Sequence, residues 1–149
     1  MPVSLDWLVE GEVIYHHWWG VGTIEDVRYV NERTLAMYAQ HPDRPLIHTI
    51  ANSIDQSKNT ASFSETRTEY TGLDHDQTGW ILLVGANPIV RFAANIILQI
   101  GRKDKARIRM VASMDEAIDW LTKMDSTINW DAANWSVVER LKAEAGVKA

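Results

Sequence analysis

The chain has 149 residues, no cysteine, 15 Lys plus Arg against 20 Asp plus Glu, and 46% hydrophobic residues. A chain of this length buries roughly 70% of the surface its unfolded form exposes, so one core suffices without a metal or a disulfide. The missing cysteines exclude thiol catalysis, iron–sulfur clusters and Cys-ligated zinc, and a net charge of −5 argues against nonspecific nucleic-acid binding.

The opening, Met1 to Asp6, has no basic region followed by an apolar run, so no signal peptide is read and a cytoplasmic location is expected. Ser4 to Val9 and Glu12 to Trp19 are strand-like runs separated by Glu10-Gly11, which predicts a hairpin. Thr23 with Asp26 resembles a capping box, and Ile24, Val27, Val30, Leu35 and Tyr38 follow at helical spacing up to Gln40, before Pro42 and Pro45. Leu46 to Asn52 is a third strand. From Ile54 to Gly79 the chain is polar, with Phe63, Tyr70 and Leu73 as isolated apolar points. It is read as a long loop holding at most a short helix near Ser64 to Tyr70.

Gln77 to Gly101 contains a single formal charge, Arg91, yet it does not read as a membrane span. Trp80 to Val84 is a short buried strand ended by Gly85, and Asn87-Pro88 supplies an N-cap and a first-turn proline for a helix. Lys105 to Val111 is a fifth strand. Ser113 and Glu116 form a capping box whose helix carries Met114, Ala117, Ile118, Leu121 and Met124 as its apolar stripe. The tail from Trp130 holds a second such box, Ser136 and Glu139, with Trp135, Val138 and Leu141 along one side. The order predicts an α/β fold over residues 1–127, with a mixed, mostly parallel sheet of about five strands and flanking helices. Residues 128–149 form an extra helical tail packed on the domain or on a second subunit, so a homodimer stays open.

Five histidines raise a metal site, but His16 and His17 are neighbours in a strand and point to opposite faces. His48 is read as a satisfied structural histidine, and neither a metal nor any cofactor is expected. Gly20-Val21-Gly22 precedes a helix but lacks the Walker lysine and the third glycine of a dinucleotide fingerprint. No nucleophile elbow or Ser-His-acid set stands out, so an enzyme is not expected. The basic run Arg102, Lys103, Lys105, Arg107 and Arg109 reads as an edge strand defended by charge. Of Trp18 and Trp19, alternation sends one indole to each face. Asn52 to Lys58 follows the third strand, where α/β folds place ligands and switches.

The closing Arg109 to Leu121 looks like the last strand and "S-x-E-E-A-x-x-W-L" helix of STAS domains, and Gly79 to Gly85 is a second local echo of them. The chain resembles that family, the fold of anti-sigma-factor antagonists, over about residues 5 to 125, and more particularly its members grouped with lipid-binding Sec14-like domains. The resemblance implies a D-S-S-G-like turn after the third strand, whose second serine is phosphorylated by a partner kinase that is also the anti-sigma factor. Asp55-Gln56-Ser57-Lys58 is the corresponding stretch, with Asp55 and Ser57 fitting and Gln56 and Lys58 departing from it. The implied role is a non-enzymatic regulatory module that binds a protein, with Ser57 and Asp55 as switch candidates. The alternative is a small-molecule or lipid-binding domain with a pocket under the 54–79 loop, lined by Trp18 or Trp19, Phe63 and Tyr70.

Overall fold

A computed structural model describes residues 2–71, 75–85, 87–100 and 107–148. Val3–Val9 (β1) and Val13–Gly22 (β2) form the antiparallel hairpin, followed by Ile24–Ala39 (α1) and Ile47–Asn59 (β3). Then come Phe63–Thr71 (α2), Thr78–Val84 (β4), Pro88–Ile100 (α3), Ile108–Val111 (β5) and Met114–Met124 (α4). A 3₁₀ turn at Trp130–Ala132 leads into Ser136–Lys148 (α5). The basic run before Arg107 lies outside the described residues.

The sheet is mixed, with strands in sequence order: β1 is antiparallel to β2, and β2 through β5 are parallel. Parallel crossovers of the usual hand that all step the same way land on one face. Accordingly α1 and α3 pack on one side, where Val27, Val30 and Met37 meet Ile14 and Trp18, and Val90 and Ala94 meet Ala51 and Leu83. The other side is left for α4 and α5, whose Ala117, Leu121, Val137 and Leu141 cover Tyr15, Ile50 and Leu82.

The predicted caps are realised at three helices. The Asp26 carboxylate accepts from the Thr23 N–H at 2.7 Å and the Thr23 hydroxyl at 2.9 Å, and Asn87 Oδ1 accepts from Val90 N–H at 2.9 Å. Ser113 Oγ accepts from Glu116 N–H while Glu116 reaches back to Ala112 N–H. The Ser136 box is corrected: Ser136 is already the first residue of α5, and its hydroxyl is turned to Asn134 Oδ1.

The larger correction concerns residues 53–59, expected to be loop. They continue β3, because β2 runs on and supplies a ladder: Trp19 pairs with Asp55, Gly20 with Gln56, Val21 with Lys58 and Gly22 with Asn59. The β3–β4 ladder stops at Asn52 and Val84, so beyond that point β2 and β3 project as a two-stranded ribbon. Its polarity reflects exposure of Ile54, Asp55, Ser57 and Lys58 to solvent, not an absence of regular backbone. The remaining "loop" holds α2, capped by a reciprocal pair: Ser62 Oγ accepts from Glu65 N–H and Glu65 Oε1 from Ser62 N–H.

Candidate functional site

A cavity of about 80 Å³ lies between the sheet and the layer formed by α1, α2 and α3. Its origin is visible in the central strand. Strand alternation turns Thr49, Ala51 and Ser53 toward that layer and His48, Ile50 and Asn52 away from it. A buried parallel strand ordinarily carries Val, Ile or Leu on both faces, and three small side chains in succession leave space under the helices. The flanking strands contribute His16 and Trp18 from β2 and Ile81 and Leu83 from β4, while Phe92 and Ala93 descend from α3. Gln56 reaches in from the ribbon. A Cβ on Gly22 would stand 2.5 Å from its Nε2, so glycine there leaves Gln56 its room.

The cavity wall divides by chemistry. One part is apolar, and the other carries Asn31, Thr34, Thr49, Ser53, Gln56 and Thr66. His16 belongs to the polar part, and its buried Nε2 has no hydrogen-bond partner. Burial alone pushes the ring down to about 4, so it is neutral at physiological pH.

On the opposite face a polar chain runs through the core. Asn52 Nδ2 donates to Tyr15 Oη at 3.1 Å, Tyr15 Oη meets His17 Nδ1 at 3.0 Å, and His17 Nε2 meets Asp55 Oδ2 at 2.9 Å. A neutral imidazole satisfies all three contacts if Tyr15 donates to Nδ1 and Nε2–H donates to Asp55. Burial pushes the Tyr15 hydroxyl up to about 12, against the opposing pull of the Asn52 hydrogen bond, so it stays protonated. The order acid, imidazole, hydroxyl is that of an activated nucleophile, but Tyr15 is completely buried and no substrate reaches it. The chain fastens the ribbon to the sheet.

A second buried histidine serves a similar end. His48 Nδ1 accepts from Trp80 N–H at 2.9 Å, which puts the ring proton on Nε2, facing Asp125 Oδ2 at 2.7 Å. A Cβ on Gly79 would sit 2.5 Å from His48 Nδ1, so only glycine admits the ring. Burial lowers the His48 pKa despite the pull of Asp125. Burial raises that of Asp125, but the hydrogen bonds from His48 and Thr127 outweigh it and leave the carboxyl below its ordinary range. Among the described residues no group of three His, Asp or Glu side chains is placed to hold a metal ion, and no helix is long and apolar enough to cross a membrane.

The residues singled out from sequence fall in separate places. Asp55 is committed to His17, and Ser57 is exposed on β3 two residues further on. Trp18 lines the cavity, whereas Trp19 lies on the other face with its ring 6.4 Å from that of His17. Phe63 is half-exposed at the start of α2 and packs edge-on to Phe92 at 6.4 Å, outside the cavity wall. Tyr70 is in α2, and its side chain is outside the described residues. The cavity lies under three helices, and the 54–79 segment contributes Gln56, Asn59, Thr66 and Thr78 to its wall. Sequence reading weighs His16 only as a metal ligand and Gln56 only as a departure from the turn motif, and it misses Asn31 and the small-residue alternation Thr49, Ala51, Ser53, although that alternation is itself legible.

No family model matches the chain, and no curated protein matches it. Solved structures do match in fold. The anti-sigma factor antagonist SpoIIAA in its unphosphorylated form aligns with a TM-score of 0.54 and 18% identity, over 80% of this chain and 96% of that one. The Bacillus cell fate determinant SpoIIAA in its phosphorylated form gives 0.52 and 16%, over 80% and 98%. A DUF3478-family protein from Shewanella loihica with a SpoIIAA-like fold gives 0.57 and 14%, over 80% and 94%. The chain has a STAS-like, SpoIIAA-like α/β fold, as its closing strand and helix suggest.

Proposed function

We propose that the chain is a non-enzymatic regulatory module of the cytoplasm that docks a protein partner, a kinase of the anti-sigma-factor type, on the projecting β2–β3 ribbon. The observation that carries this reading is the ribbon's composition and exposure. Val21 and Ile54, 48% and 54% exposed, lie on the same segment as Ser57 and Lys58, which the His17–Asp55 contact ties to the sheet. Exposed aliphatic side chains on a paired ribbon, bordered by charge, are the makings of a docking surface. The likeness to an anti-sigma factor antagonist known in unphosphorylated and phosphorylated forms supports a role controlled by phosphorylation.

Ser57 is the proposed acceptor. Ser57 is the extra residue of a β-bulge between the Gly20–Gln56 and Val21–Lys58 pairs and is exposed, so a phosphoryl group there adds nearly two negative charges to the surface at a point the ladder leaves free. Protein purified from its own host is expected to carry a phosphoryl-sized mass increment mapping to Ser57. Ser57→Asp and Ile54→Asp should each retain the wild-type circular dichroism spectrum and lose a partner that the wild-type chain captures. A partner captured equally by both variants would refute the surface, and a serine never modified in the host would refute the switch.

A further inference from the structure

We propose that the cavity beneath α1, α2 and α3 binds a small uncharged molecule, about the size of a single ring, with hydrogen-bonding groups along one edge. The site shares Gln56 with the ribbon, but it opens under the helices and not on the ribbon's exposed surface, and its test is independent of the docking reading. Its size sets the first limit: about 80 Å³, where one water requires roughly 10–15 Å³. That is room for several waters and about half of the roughly 150 Å³ that holds benzene in an enclosed apolar cavity, so a single ring is the upper limit and enters only as the wall adjusts.

Charge sets the second limit. None of the described lining residues is Asp, Glu, Lys or Arg. His16 is neutral because it is buried, and an ion entering would lose its hydration without meeting a countercharge. The third limit is the division of the wall. Trp18, Ile81, Leu83 and Phe92 offer apolar contact to a flat body, while Thr49, Ser53 and Gln56 form a polar row beside His16.

One unmet need marks the polar row as unfinished. Buried polar side-chain atoms are nearly always paired, and His16 Nε2 is not. A side chain of this kind in the middle of a sheet costs stability unless something else is gained, and an apolar residue of similar size would fill the position without that cost. Repacking that a ligand allows around His16 would give the nitrogen a partner. The small residues on β3 point the same way, since they forgo core packing at the strand that lies deepest in the sheet.

The test uses the full chain, with nicotinamide, phenol and benzyl alcohol as neutral probes and nicotinate as an anion of matched shape. The readouts are the His16 ring and Trp18 indole resonances in ¹⁵N-labelled protein, together with the melting temperature. At least one neutral probe should give saturable shifts at both rings and raise the melting temperature, with nicotinate at least about tenfold weaker than nicotinamide. Ala93→Leu, which places a larger side chain in the cavity, should abolish the shifts, and Ser53→Val should do the same if Ala93→Leu does not fold. Absence of saturable shifts with all three neutral probes would mean a merely hydrated cavity and would overturn the proposal. Equal binding of nicotinate, or binding that survives in a folded cavity-filled variant, would overturn it as well.

Discussion

His16 and His17 sit side by side in β2 and meet opposite fates. His17 has a partner on each ring nitrogen, whereas His16 has an unpartnered Nε2 in an uncharged surrounding. The consequence is a pH dependence. The folded-state pKa of His16, about 4, lies below its ordinary value of 6.5, so the unfolded chain binds the proton more tightly. The contribution of the neutral ring to stability is therefore complete above about pH 6.5 and is lost progressively as the pH falls toward about 4. His48 shifts in the same direction and adds to the loss, while Asp125, whose pKa is lowered, comes into play only in the more acid carboxylate range. Between pH 7 and pH 5 urea unfolding should show the chain losing about 2 kcal/mol through His16 alone. His16→Phe should flatten that dependence, leaving the part due to His48. An unchanged pH profile in the variant would show that His16 is not the group responsible.

Elements defined by local chemistry were readable from sequence, and elements defined by what lies alongside them were not. Ser113 and Glu116 announce α4, and Asn87-Pro88 announces α3, because a cap needs only residues within one turn of itself. The end of β3 is different. Ser53 to Asn59 has the composition of a loop and becomes a strand because β2 runs beside it, a tertiary fact that no window on residues 53–59 contains. The same holds for the site: alternation places one of Trp18 and Trp19 on each face without deciding which lines the cavity, and His16 and Gln56 acquire meaning only when β2 and β3 are laid in register. Ser62 and Glu65 did carry a legible box and were passed over within a polar stretch. Local caps make a correspondingly local prediction. Ser113→Ala removes the hydroxyl that accepts from Glu116 N–H and should cost about 1 kcal/mol in urea unfolding, with the far-ultraviolet spectrum kept. A loss near zero would mean that the Glu116 contact to Ala112 caps the helix unaided.

At the scale of the molecule, sheet topology and the tail are coupled. Three crossovers fill one face of the sheet, so the other depends on elements that follow β5. The helix α4 covers the part near β4 and β5, and β1 and β2 are covered by α5, whose Val137 and Leu141 lie in one cluster with Leu8 and Tyr15. Polar contacts register it: Ser4 donates to Glu144 at 3.0 Å, Arg140 pairs with Asp6, and Asn134 N–H donates to Leu8 O at 2.7 Å. Trp130, stacked on Trp135 at 5.8 Å, closes the seam between this helix and the rest. We therefore expect residues 128–149 to act as a lid on the domain's own core. Ending the chain after Thr127 should uncover a contiguous apolar face on β1 and β2, lower the melting temperature and produce self-association in size-exclusion chromatography. The separately expressed tail, added back, should bind the truncated chain and restore the monomer-sized peak. A truncated chain that elutes and melts as the intact one does would place the tail outside the core and leave a second subunit as the surface it serves.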